Sequence, residues 1–202
     1  MSMVIRIIYA AVAIVLVVLA YKAWGINSAG NFYESTAIYN NYAGPEDAET
    51  VIVEFVDYLC EPCRETHFEV TDFHKKHPDI KFVFINAAVK ENSLPGLKLA
   101  LAAGIQNKYY EVHEALMQQA TPVEQYDIDR IAGLFGLDAK KLEEDMNSKD
   151  LYRHLLRSDR AGKKLKILSV PSFYINGYLF YPENKVPTGV EIERWLATAT
   201  GS

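Results

Sequence analysis

The chain has only two cysteines, Cys60 and Cys63, among 202 residues, which excludes a small scaffold knitted together by several disulfides. It also lacks an excess of positive charge: 21 basic side chains stand against 26 acidic ones, a net charge of -5. Affinity for phosphate backbones rests on clustered Lys and Arg, so no nucleic-acid partner is expected. Internal repeats and low-complexity runs are missing. With half of its residues hydrophobic and 23% charged, the composition is too apolar for a disordered chain. The length suits one globular domain with an appendage.

The apolar residues are unevenly spread. From Ile7 to Tyr21 every residue is apolar or aromatic, and Val4 and Ile5 extend the run to 18 positions interrupted only by Arg6. At the helical rise this run spans roughly 27 Å, close to the hydrocarbon thickness of a bilayer. A short cationic start before an apolar stretch is also the pattern of a cleavable secretory signal, and Val18-Leu19-Ala20 resembles a cleavage site. The length of the run, and Lys22 with Trp24 as an interfacial anchor pair, favour a retained helix. Residues 1–22 are thus expected to form a transmembrane anchor or signal. Its amino end is expected to stay cytoplasmic, because Arg6 and the free N-terminus place two positive charges before the segment, with Lys22 and then an acid-rich stretch after it. The rest of the chain would then lie in an oxidising compartment, where a cysteine pair can do disulfide chemistry.

Residues 23–49, punctuated by Gly25, Asn27, Ser28, Gly30, Gly44 and Pro45, read as a tether. Its aromatic residues Phe32, Tyr33, Tyr39 and Tyr42 suggest that part of it packs on the domain. Residues 51–58 are β-branched and aromatic and predict a buried strand, followed by a helix over 62–76 and a second strand over 81–86. This strand-helix-strand unit implies a parallel pair. From 94 to 168 only helical periodicity is visible, broken at Gly104, Thr121-Pro122, Gly136 and Asn147-Ser148. Strands over 172–175 and 178–181 flank Asn176-Gly177, a strong hairpin signal. Thr188, with Glu191 three residues on, predicts the start of a last helix. The order is βαβ, a helical block at about 92–168, then ββα, within a domain over 50–202.

Cys60-Glu61-Pro62-Cys63 lies where the first strand gives way to the first helix. A cysteine at a helix start meets unpaired N–H groups and the positive end of the helix dipole, which lower its pKa. Cys63 returns to the same face one turn later, and Pro62 suits a first turn that has no N–H bond to lose. Three readings fit the pair. A structural disulfide would close so small a loop that it would stabilise little. Zinc would need Cys60, Cys63, His74 and His77, which an unbroken helix spreads too far apart. A redox-active dithiol is the third. Val170-Pro171, just before a late strand, adds weight to it, although a proline opening a strand is also ordinary edge punctuation.

The sequence resembles the DsbA-like branch of the thioredoxin superfamily, the exported thiol-disulfide oxidoreductases of bacteria. The resemblance spans about Val51 to Leu196 and rests on four stretches. They are Val53-Glu-Phe-Val-Asp-Tyr-Leu-Cys-Glu-Pro-Cys63, Tyr109-Tyr-Glu-Val-His-Glu-Ala-Leu116, Ile131-Ala-Gly-Leu-Phe-Gly-Leu-Asp138 and Val170-Pro-Ser-Phe-Tyr-Ile-Asn-Gly177. It implies an α/β thioredoxin fold with an inserted helical domain, here preceded by one N-terminal transmembrane helix. By the same resemblance Cys60 is the nucleophile and Cys63 the resolving thiol. Pro171 is a cis-proline facing them, Val170 offers its backbone to substrate, and Glu54 is a buried acid assisting proton transfer at Cys63; the alternative for Glu54 is an outward-facing strand residue. One feature departs from the strong oxidases of the branch, many of which carry His just before the second cysteine. Here Glu61 and Pro62 intervene; Glu61 opposes thiolate formation, and Pro62 is similar to thioredoxin-like reductants.

The function implied is a membrane-tethered protein thiol-disulfide oxidoreductase that introduces disulfides into exported proteins, with no metal or organic cofactor. An oxidase would need a DsbB-like quinone-linked membrane partner to reoxidise it, and a reductase a transmembrane electron donor. Two alternatives stand beside it: a reductase or isomerase on the same fold, and a non-catalytic binding or chaperone domain. His67, one turn after Cys63, reads as a surface or packing residue, with contact to the active-site surface as the alternative; His74, His77, His113 and His154 read as structural or solvent-facing, and Tyr58 as packing or a groove wall.

Overall fold

Six residues at the centre of the sheet organise the molecule. The structure, a computed structural model, describes residues 8–9, 11–17, 39–87 and 91–201. Strand β1 is Tyr42–Ala43, and β2 is Val51–Val56, the buried β-branched run. Helix α1, Glu61–Lys76, crosses from β2 to β3, Lys81–Asn86, and the two strands pair in parallel with Glu54 opposite Phe84. The helix ends at His77, just ahead of Pro78, whose ring disfavours helical backbone in the residue before it.

A 3-10 turn, Glu91–Ser93, then leads into five helices. These are α2 (Leu94–Ile105), α3 (Tyr109–Gln118), α4 (Gln125–Phe135), α5 (Ala139–Met146) and α6 (Lys149–Lys164). Strand β4, Ser172–Ile175, returns antiparallel to β2, with Phe173 opposite Glu54. Asn176 and Gly177, both at positive φ (45° and 93°), turn the chain into β5, Tyr178–Phe180; two such residues in succession suit a tight hairpin. Helix α7, Gly189–Thr200, closes the chain, with the Thr188 hydroxyl accepting the Glu191 N–H. The Glu191 carboxylate turns elsewhere and accepts the Glu183 N–H. The sheet order is β1-β3-β2-β4-β5.

Strand pleating divides the interior into two faces. Ile52 and Val56 of β2 join Phe82, Phe84, Phe173 and Ile175 on one face, beneath Val70 and Phe73 of α1. Glu54, two residues from each, points the same way. Val53, Phe55, Val83, Ile85 and Tyr174 form the other face, covered by Leu165, Ile167 and Val170. Helix α2 is apolar nearly all round, with Leu97 and Leu99–Ala103 buried, as suits a helix enclosed by others.

The expected tether is partly built into this body. Asn41 exchanges two hydrogen bonds with Phe84 of β3: its side-chain amide donates to the Phe84 carbonyl at 2.7 Å, and its own carbonyl accepts the Phe84 N–H at 2.8 Å. Tyr42 and Ala43 pair antiparallel with Val83 and Phe82. Gly104 lies so close to Tyr39 that a Cβ there would collide with the Tyr39 carbonyl. Most of the expected anchor over 1–22 lies outside the described residues. Those that are described, 8–9 and 11–17, are helical, and among the described residues no helix is long and apolar enough to cross a membrane.

Candidate active site

A turn at the end of β2 sets the first cysteine. The Asp57 carbonyl accepts the Cys60 N–H at 3.1 Å, and its carboxylate accepts the Leu59 N–H at 2.8 Å. An Asp whose side chain bonds backbone two residues on is an Asx turn. It leaves Cys60 in extended backbone as the N-cap of α1, where the Cys60 carbonyl accepts the Arg64 N–H at 3.1 Å. Cys60 is half-buried and Cys63 fully buried, and both are free thiols.

Their electrostatics differ sharply. The hydrogen bond from Cys63 is the main influence that lowers Cys60 to about 7. The Cys63 backbone N–H and the Arg64 charge add to it, while burial and the Asp57 charge oppose it. Cys63 is driven the other way, well above the ordinary thiol range, by that same hydrogen bond, then by burial and the charges of Cys60 and Glu54, against a backbone hydrogen bond at Asp57 that lowers it. One sulfur is prepared to carry charge near neutral pH and the other to hold its proton.

The second wall of the site comes from the loop before β4. Cys60 Sγ lies 3.7 Å from the Val170 carbonyl oxygen, and the Val170–Pro171 peptide bond is cis. Tyr181 fixes the loop from behind: its hydroxyl accepts the Leu168 N–H at 3.1 Å and donates to the Lys166 carbonyl at 3.3 Å. Beneath the cysteines Glu54 is 1% exposed, with no hydrogen-bond partner for either carboxylate oxygen. Burial raises its pKa from 4.5 to about 8.

Residues 36–192 match a family model described as Thioredoxin. The chain belongs to the thioredoxin family. Among curated proteins this thioredoxin-family chain is 24% identical over 148 residues to the Na(+)/H(+) antiporter NhaA of Nitrosospira multiformis, a match covering 69% of the chain and 23% of the antiporter. It is 26% identical over 152 residues to disulfide bond formation protein D of Bacillus subtilis, covering 66% of each. The chain therefore spans about a quarter of the antiporter's length and about two thirds of the disulfide protein's. Among solved structures it superposes on a thioredoxin-like oxidoreductase from Silicibacter pomeroyi with a TM-score of 0.69 and 27% identity, covering 82% of this chain and 97% of that one.

Of the residues singled out in the sequence, Cys60, Cys63, Glu54, Val170 and Pro171 come together from β2, α1 and the β4 loop. Pro62 lies half-buried in the first turn of α1. Glu61 is exposed there, and the carboxylate whose charge raises Cys60 is Asp57. His74 and His77 lie at the far end of α1, where they pack on Phe82 and Phe73. Among the described residues no group of three or more His, Cys, Asp or Glu could hold a metal ion.

Sequence reasoning passed over Asp57, which an Asx-turn signature at Asp57-x-Leu59 could have flagged. It also left unconnected a buried polar cluster. The Tyr58 hydroxyl and His113 Nδ1 are hydrogen-bonded at 3.1 Å, the Tyr109 hydroxyl donates to Asn86 Oδ1 at 2.9 Å, and His67 Nε2 lies 3.0 Å from Glu114 Oε1. Tyr58, His67 and His113 are all buried. No spacing in the sequence reveals this cluster, because its members come from four separate elements.

Proposed function

We propose that the chain is a membrane-tethered thiol-disulfide oxidoreductase that introduces disulfides into exported proteins by exchange through Cys60 and Cys63. The observation that carries exchange through this pair is its asymmetry: Cys60, at the helix N-cap and beside the Val170 carbonyl, is lowered to about 7, while Cys63 is buried and raised; the likeness to disulfide bond formation protein D of Bacillus subtilis supports the oxidising direction. In the oxidising direction a substrate thiolate attacks Cys60 of the Cys60–Cys63 disulfide. The Cys63 sulfur leaves and takes a proton, for which Glu54 is the donor. A second substrate thiolate then attacks the mixed disulfide and releases Cys60 as a thiolate, so the substrate loses two electrons and the enzyme gains them.

Val170 would pair its backbone with an extended substrate beside Pro171, and Glu61 and Pro62 would tune the pair. The redox couple is the cysteines themselves, with no metal or organic cofactor. Reoxidation would fall to a quinone-linked membrane protein. The apolar run over 1–22 supports the tether and an extracytoplasmic location, and a mature N-terminus beginning near Tyr21 would overturn the tether.

A reductase or isomerase on the same fold is a second reading, supplied by a transmembrane electron donor. A nucleophile near 7 favours it, because thioredoxin has that value and the strong oxidase DsbA lies far below it. The reduction potential divides the two. A value near about -120 mV supports the oxidase, whereas one near about -270 mV replaces it with the reductase. Disulfide exchange that survives Cys60→Ser would remove both in favour of a binding domain.

A further inference from the structure

The chain is acidic overall, yet one helix is not. Seven of its 21 basic side chains, and only two of its 26 acidic ones, fall in residues 149–166, along α6 and its exit. Lys149, Arg153, Arg157, Arg160 and Lys164 follow one another by steps of four, four, three and four, which sets them on a single helix face. All five are exposed, while Leu151, His154 and Ser158 lie buried against the rest of the domain. The two acids are already engaged: Asp150 pairs with Arg153 at 2.8 Å, and Asp159 with Lys163 at 2.8 Å. Arg157, Arg160 and Lys164 have no ion-pair partner among the described residues.

Charges alone are ordinary on a solvated helix, but this face has two further properties. It is bordered by apolar surface. Tyr152, 59% exposed, and Leu156 stand beside the stripe and line an apolar groove of about 410 Å³ with Phe55, Ile85, Leu97 and Ile167. Leu168, 85% exposed, follows just past the end of α6, two residues before Val170. The stripe also lies where the tether joins the domain. The Tyr39 ring packs edge-on against His154 of α6 at 4.6 Å, and the Tyr39 carbonyl lies against Gly104. The charged groups that act on the Tyr39 hydroxyl are Asp150, Arg157 and Asp145. Both acids are paired, with Arg153 and Lys141.

We propose that the exposed face of α6 docks on an anionic lipid surface. Cations beside exposed apolar side chains suit such an interface: the Lys and Arg stripe meets the headgroups, and Tyr152, Leu156 and Leu168 enter the boundary with the acyl chains. The inference rests on the membrane tether proposed above for its geometry, and on the charge of α6 for its chemistry. Because the tether joins the domain at Tyr39, α6 is the helix brought nearest the bilayer. Docking also orients the active site. Helix α6 leads directly into the loop whose Val170 carbonyl is 3.7 Å from Cys60 Sγ, so a docked α6 holds Cys60 near the membrane, where the proposed redox partner works.

The test acetylates lysines of the full-length chain with a water-soluble succinimidyl ester and follows each site by mass spectrometry. The chain is reconstituted in vesicles of phosphatidylcholine alone, or of equal parts phosphatidylcholine and phosphatidylglycerol. Lys149 and Lys164 are expected to react about fivefold more slowly in the anionic vesicles, while Lys75 at the far end of α1 stays within about twofold. Salt at about 1 M, or Arg157→Glu with Arg160→Glu, should abolish the protection. Equal rates in the two vesicles, equal slowing of Lys75, or protection that survives the charge reversal overturns the proposal. So does Lys164 left open by lipid but covered when a Cys63→Ser chain is trapped in a mixed disulfide with an acidic peptide, which assigns the face to substrate. A carbonate wash reports the anchor separately. A chain retained by the vesicles without protection keeps the tether and loses the docking face, and a chain washed off after showing protection does the reverse.

Discussion

Replacing Glu54 with glutamine should change how stability depends on pH, and burial fixes the sign. Glu54 has no hydrogen-bond partner, and its pKa is raised from 4.5 to about 8. Over that interval the folded chain holds a proton that the unfolded chain has already released. Its contribution to stability is therefore full below the unfolded value and declines as pH rises, by about 1.4 kcal/mol per pH unit, until the folded carboxyl itself ionises. Other groups slope the opposite way. His113 and His154, lowered from 6.5 by burial, favour folding more as pH rises toward 6.5, and Cys60, lowered from 9.0 to about 7, does so as pH climbs beyond 7. The quantity to follow is thus the difference between wild type and Glu54→Gln, in which those contributions cancel. From about pH 5 to about pH 7.5 the variant should gain roughly 3 kcal/mol on wild type. Urea unfolding of both dithiol proteins at several pH values measures it, as a relative midpoint shift of about 1–3 M. A difference that stays flat, or that moves in favour of wild type with rising pH, would refute the reasoning.

Three further outcomes are expected. Alkylation of the reduced chain by iodoacetamide should follow a midpoint near the value of about 7 for Cys60, and native Cys60→Ser should react at a small fraction of the wild-type rate because Cys63 is buried; comparable labelling would contradict the asymmetry. Gly104→Ala sets a methyl group against the Tyr39 carbonyl and should cost at least about 1–3 kcal/mol in urea unfolding. His154 is buried and lowered from 6.5 to about 4, so the stability that depends on its neutral form is complete above 6.5 and is lost as pH falls toward 4. The loss is as much as about 3 kcal/mol, and the acid limb of the unfolding curve should flatten in His154→Gln.

The strands and helices were legible wherever local chemistry alone decides them. The β-branched run at Val51–Val56, the Asn176-Gly177 turn and the Thr188 cap all behave as their residues dictate. The cysteines and Val170-Pro171 could be paired across 110 positions because each motif sits at a strand end that the βαβ and ββα halves bring together. The capping box at Thr188 was legible only in half. Glu191 is recruited by the Glu183 N–H, a contact set by the loop after β5 rather than by local spacing. The histidines were illegible for a related reason. His67 and His113 sit on different helices, so only the docking of α1 against α3 shows that the rings stand within 5.3 Å. Burial also outweighed residue type at Glu54, whose charge argues for a surface while its flanking residues place it in the core.

Strand β1 bears on how the domain can be trimmed. An unpaired strand edge is a template for another chain. A chain beginning at residue 50, where composition alone would cut, loses the Tyr42 and Ala43 partners of β3 and the Asn41 bonds to Phe84, and so lays that edge open. A chain beginning at Tyr39 keeps them. Light scattering should find the shorter chain self-associating more than the longer one, so the boundary that matters for solubility falls about ten residues before the boundary of the active-site fold.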